Sequence, residues 1–111
     1  MCPTFGWIRD FPDAQSVLDP LFSGRNILPR NNNNLAQLDV PAVNDALDAA
    51  KQLTDPTARA QAWGDIDRQL VALAPAVPLT WPRAANIRSS DVLAQPSEAL
   101  ATWDMSFIAL R

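Results

Sequence analysis

Apolar residues recur with the period of a helix in three places. Val43, Ala46, Leu47, Ala50 and Leu53 follow Asp39-Val40-Pro41. An acid able to accept first-turn N–H groups, with a proline early in the helix, predicts a helix over 40–53 capped by Asp39. Thr54-Asp55-Pro56 repeats that signature and opens another helix, whose apolar row is Ala60, Trp63, Ile66, Leu70 and Leu73 and which Pro75 ends. Earlier in the chain, Val17, Leu18, Leu21 and Phe22 form one face of a shorter helix over 14–22, with Asp13 as its cap, Pro20 complicating its last turn and Gly24 as a left-handed stop. The two longer helices make a helical hairpin. Because helices draw their stability mostly from packing, the face they share needs a partner surface. Asp55 with Arg59, and Asp65 with Arg68, are spaced for surface ion pairs worth roughly 0.2–0.5 kcal/mol each.

The period-two signals are weaker. Aromatic and β-branched residues over 5–8 suit a short strand that must end near Asp10, because Pro12 biases Phe11 away from the helical region. The stretch 76–82 reads as extended but punctuated by prolines, so it is not a central strand. A short strand is expected over 86–89, irregular chain over 95–101, and a last strand over 103–110 with Trp103, Met105, Phe107 and Ala109 on one side. Between the first two helices, 25–34 is rich in turn formers and ends in four asparagines, whose side chains compete for local backbone hydrogen bonds. This reads as a surface loop. Trp63, Trp81 and Trp103 read as packing residues.

Composition narrows the chemistry. A chain of 111 residues with 48% hydrophobic and 19% charged residues suits one globular domain with a single core. A net charge of −3, without a Lys/Arg cluster, argues against nucleic acid as a partner, since phosphate neutralisation needs a basic face. There is no histidine and one cysteine, Cys2, which excludes Ser/His/Asp and Cys/His catalysis, His-based metal sites and a disulfide framework within the chain. An enzyme here would have to run on carboxylates. No Gly-rich phosphate loop is visible, no cofactor is called for, and no apolar run approaches the ~20 residues of a membrane span.

The densest chemistry lies in Gly6-Trp7-Ile8-Arg9-Asp10-Phe11-Pro12-Asp13. Asp13 has a structural job as a cap. Asp10 has none so plain: it is either a solvated acid or partner for Arg9, or a ligand residue at a strand end beside a helix start, where ligands of α/β folds commonly sit.

That segment, followed by Asp39-Val40-Pro41-Ala42-Val43-Asn44-Asp45-Ala46-Leu47, by Arg59-Ala60-Gln61-Ala62-Trp63-Gly64-Asp65-Ile66-Asp67-Arg68 and by Ala74-Pro75-Ala76-Val77-Pro78-Leu79, resembles the C-terminal part of the family 5 extracellular solute-binding proteins, the oligopeptide- and dipeptide-type binding proteins of ABC importers. The resemblance spans essentially the whole chain. It implies an α/β fold: a helix-rich C-terminal fragment, with short strands, of a two-lobe periplasmic-binding-protein-like architecture. Residues 1–82 would be the end of the second, ligand-binding lobe and 83–111 a return segment to the first. It implies a small-molecule or peptide ligand, a missing N-terminal lobe and an ABC permease as partners, and an extracellular or periplasmic, membrane-associated location. It also implies that Trp7 packs on the ligand, that Gly6 to Ile8 offer main-chain hydrogen bonds, and that Asp10 accepts the ligand's ammonium group. Two departures stand out. No secretion signal or first lobe precedes these residues, so a truncated chain is expected, and Arg9 occupies a place where a small or polar residue is expected.

The leading expectation is thus binding of a solute, a peptide, for uptake, without catalysis. The alternative is a free-standing helical-hairpin protein-interaction module, and more distant is a carboxylate enzyme using Asp10 and Asp13.

Overall fold

The computed structural model describes residues 6–80, 85–97 and 102–111. Three helices carry the core: α1 (Gln15–Phe22), α2 (Pro41–Gln52) and α3 (Pro56–Leu73). Leu18 of α1, Val43, Leu47 and Ala50 of α2, and Trp63, Ile66 and Leu70 of α3 are buried together, with Phe22, Leu38, Val40, Ala46 and Ala62 packed around them. The α2/α3 hairpin expected from the two apolar rows forms, and α1 covers the face it shares. The ends of the rows are not buried. Leu73 is 48% exposed and Val71 72%, because α3 is six residues longer than α2 (18 against 12) and its last turn overhangs its antiparallel neighbour.

The helix ends depart from the sequence reading in instructive ways. Asp55 caps α3 as expected, accepting the Ala58 N–H at 2.7 Å. Asp39 does not cap α2, whose N-cap is Val40 with no side-chain bond. Its carboxylate accepts instead from Asn44 Nδ2 (2.8 Å), while Asn44 Oδ1 accepts the Gly24 N–H (2.8 Å). Gly24 is correspondingly not a left-handed stop. Among the described residues no glycine has positive φ; α1 ends at Ser23 in extended conformation, and Gly24 opens a 3₁₀ turn, Gly24–Asn26. Glycine is needed there for close approach, since a Cβ would lie 2.0 Å from Asp39 Oδ1. The left-handed stop falls at Ala74, φ 48°, whose N–H closes on Leu70 and Val71 carbonyls at the end of α3. Lys51 binds Asp19 (3.2 Å) and Asp48 (2.9 Å), tying α1 to α2, and Arg25 also pairs with Asp48.

The asparagine run is not wholly a surface loop. Asn34 is fully buried. Its Nδ2 donates to Ser23 O (3.0 Å) and Leu38 O (2.9 Å), and its Oδ1 accepts the Leu38 N–H at 3.0 Å. One carboxamide therefore satisfies three main-chain groups and closes the loop between α1 and α2.

The C-terminal part is made of two-residue strands: β1 (Val92–Leu93), β2 (Pro96–Ser97), β3 (Thr102–Trp103) and β4 (Ala109–Leu110). They form two nested antiparallel ladders, β1 with β4 and β2 with β3, in register Val92↔Leu110 and Pro96↔Trp103. The continuous strand expected over 103–110 is broken because Asp104 accepts the Ser106 N–H (3.0 Å) and turns the chain into a 3₁₀ turn, Met105–Phe107. The strand expected over 86–89 is irregular, and the irregular 95–101 contains β2. Of the strand expected over 5–8, the described residues 6–8 do not form one, since no described strand lies beside them to complete a ladder. Phe5, Trp81 and residues 98–101 lie outside the described residues.

Candidate ligand-binding segment

The 6–13 segment is fastened to the start of α1 through Ser16. This serine is buried. Its hydroxyl lies 3.0 Å from Phe11 O and 2.8 Å from Asp13 O, and its carbonyl accepts the Trp7 indole N–H at 2.8 Å. The Asp13 N–H also donates to Phe11 O (2.8 Å), closing the turn that Pro12 sets. Trp7 is consequently half-buried, whereas Gly6, Ile8, Arg9 and Asp10 are exposed, Ile8 at 73%. All four residues singled out from the sequence (Gly6, Trp7, Ile8 and Asp10) therefore share one short strip: a held indole with exposed residues on both sides of it, Asp10 among them.

The downstream end of the segment is clamped. Asp13 Oδ1 accepts the Gln15 N–H (2.8 Å), a first-turn bond of the kind expected of it, although the formal N-cap of α1 is Ala14. The same carboxylate receives Arg59 in a two-pronged contact, Nε to Oδ2 at 2.6 Å and Nη2 to Oδ1 at 3.1 Å. Sequence spacing had paired Arg59 with Asp55, but Asp55 is occupied as the α3 cap. The guanidinium reaches back instead to Asp13, to Gln15 Oε1 (2.8 Å), and through Nη1 to the Ala50 (2.9 Å), Lys51 (3.3 Å) and Leu53 (3.2 Å) carbonyls at the end of α2. It also lies 5.5 Å from the Trp63 ring centre. Asp65 pairs with Arg68 as the spacing suggested.

The Arg59 guanidinium holds the Asp13 carboxyl below its ordinary value; partial burial acts the other way, and the Gln15 N–H adds to the lowering. A depressed carboxylate contributes stability that is present above its unfolded value, near pH 4, and is lost as pH falls through its folded value. Asp13→Asn is expected to cost about 2 kcal/mol at pH 7, the scale of a charged hydrogen-bonded contact, and to shrink the stability difference between pH 7 and pH 3. Urea titrations followed by circular dichroism at both pH values measure this; an unchanged pH dependence would refute it. Committed to Arg59, Asp13 is poorly placed to form an acid/base pair with Asp10.

An open groove of about 600 Å³ lies between α1 and α3, lined by Pro12, Val17, Arg59, Trp63 and Gly64 among others; none of Gly6, Trp7, Ile8 or Asp10 lines it. Among the described residues no group of three or more acids or thiols is placed to hold a metal ion, and no helix is long and apolar enough to cross a membrane.

This small, helix-rich architecture with short strands matches a fragment of an oligopeptide-binding-protein fold. The solved structure it matches is that of clavulanic acid biosynthesis oligopeptide binding protein 2, at 33% identity and TM-score 0.87 over 94% of this chain. The chain spans 19% of the length of that protein. No family model and no curated protein matches the sequence.

Proposed function

We propose that this chain is part of a solute-binding protein that captures peptides for uptake by an ABC permease, without catalysis, and that the 6–10 strip contacts the ligand. The observation that carries the reading is the match to an oligopeptide-binding protein over nearly the whole chain at 33% identity. The geometry of the strip supports it. The exposed residues Gly6 and Ile8 suit main-chain pairing with an extended peptide, a fixed indole offers an apolar surface, and the exposed Asp10 suits an ammonium group once water is displaced.

On this reading residues 1–82 end the ligand-binding lobe, 83–111 return to the first lobe, and the protein works outside the cytoplasmic membrane. A further lobe is supported by the exposed apolar side chains Val77, Leu79, Ile87, Met105, Phe107 and Leu110, each at least 67% exposed. It is also supported by a radius of gyration of 17.3 Å, against about 13 Å for a compact domain of this length.

The test is titration of tri-alanine and N-acetyl-tri-alanine into the full-length protein by calorimetry. Wild type should prefer the free amine, and Asp10→Asn should lose about 2 kcal/mol of tri-alanine affinity, as for a charged hydrogen bond, with little effect on the acetylated peptide. Equal affinity of wild type and Asp10→Asn for tri-alanine would refute the ammonium role.

A further inference from the structure

Pro20 lies inside α1, four residues after Ser16. In a regular helix the N–H of residue 20 would donate to the carbonyl of residue 16. Proline has no N–H to give, and its ring crowds that same carbonyl, tilting it off the helix axis. Ser16 is 2% exposed, so water is not at hand to replace the missing donor, and a buried carbonyl left without one is costly. The donor present is the Trp7 indole N–H, 2.8 Å from Ser16 O.

We propose that Pro20 is a positioning residue for Trp7: by withholding the helical donor it leaves the Ser16 carbonyl as the dock for the indole. A residue unfavourable to α1 thereby fixes an aromatic ring nine residues before Ser16 in the chain. The dock also limits what Trp7 offers a ligand. With its N–H engaged by the protein, the ring presents a face for apolar packing rather than a donor, which suits a site that accepts ligands of varied side chain. That consequence rests on the peptide-binding reading above; the docking itself does not.

The experiment is Pro20→Ala in the full-length protein, labelled with ¹⁵N, with the Trp7 indole resonance assigned by its loss in Trp7→Phe. Alanine restores a helical donor and favours the helix, so the variant folds. Exchange of the Trp7 indole N–H should quicken about five- to tenfold, the equilibrium worth of one hydrogen bond, while main-chain amides of α1 become better protected. General loosening would move both in the same direction. A double-mutant cycle gives a second readout: Trp7→Phe should lower the melting temperature in the wild type, where it orphans the carbonyl, and lower it much less in Pro20→Ala, where residue 20 supplies the donor. Unchanged indole exchange together with additive melting shifts would overturn the proposal, whatever the peptide does. If exchange and cycle behave as expected but tri-alanine leaves the Trp7 ring resonances unmoved in the wild type, Pro20 stands as the dock and the functional reading of Trp7 falls.

Discussion

Leu47→Ala should remove about 3 kcal/mol of folding stability, within the range for truncating a buried leucine. Leu47 is fully buried at the centre of a core of seven buried side chains contributed by three helices. A loss of that size is a large fraction of the total stability of a small domain and should lower the melting temperature by roughly 10–20 °C. Thermal melts followed by circular dichroism at 222 nm measure it. Val71→Ala on the overhanging turn of α3, 72% exposed, is the matched control and should melt close to wild type. Similar shifts for the two variants would mean that the α2/α3 face is not the core.

Asn34→Ala should cost a comparable amount, about 3 kcal/mol, because it abandons three main-chain partners rather than one apolar contact. Each buried polar group left without a partner costs roughly 1–3 kcal/mol. The Ser23 carbonyl belongs to a residue only 3% exposed, so its desolvation is not readily relieved. Asn34→Asp separates hydrogen bonding from volume: it keeps the shape but faces the Ser23 and Leu38 carbonyls with oxygen where Nδ2 had donated. It should destabilise as much as alanine or more. By contrast Asn33, exposed one residue earlier, should accept alanine with little effect. Urea unfolding of the three variants distinguishes these outcomes, and a neutral Asn34→Ala would show that the loop is not closed by its carboxamide.

The helices were legible because their signal is periodic and redundant. Val43, Leu47, Ala50, Trp63, Ile66 and Leu70 recur on one face whatever the exact end of each helix, and the helix-rich, short-stranded binding-protein fragment expected from the ordered motifs is the architecture found. Details resting on one residue's choice of partner were less legible. Asp39 and Asp55 both precede a proline-opened helix; only Asp55 caps, because Asn44 engages the other carboxylate. Arg59 lies four residues from one aspartate and 46 from another, and takes the distant one because the near one is occupied. Four identical asparagines gave no hint which would turn inward, since that depends on where the Ser23 and Leu38 carbonyls come to lie. The strands were less legible for a related reason: pairing is a property of two segments, and alternation within one does not reveal whether a second lies beside it. In the candidate site, the four residues were visible as a dense cluster of chemistry. Ser16, which gathers the segment, was not, because its hydroxyl and carbonyl act on neighbours that only the folded turn brings near.

The reach of Arg59 back to Asp13 also orders events in time. Residues 53–55 alone separate α2 from α3, so the helical hairpin can close early, with little chain to restrain. The contact with Asp13 encloses 46 residues, and the logarithmic growth of closure entropy makes it about 2 kcal/mol harder to form than a three-residue link. On closure entropy alone, helix α1 and the 6–13 strip are expected to join after the hairpin closes, and hydrogen exchange should then find the strip the least protected part of the helical unit.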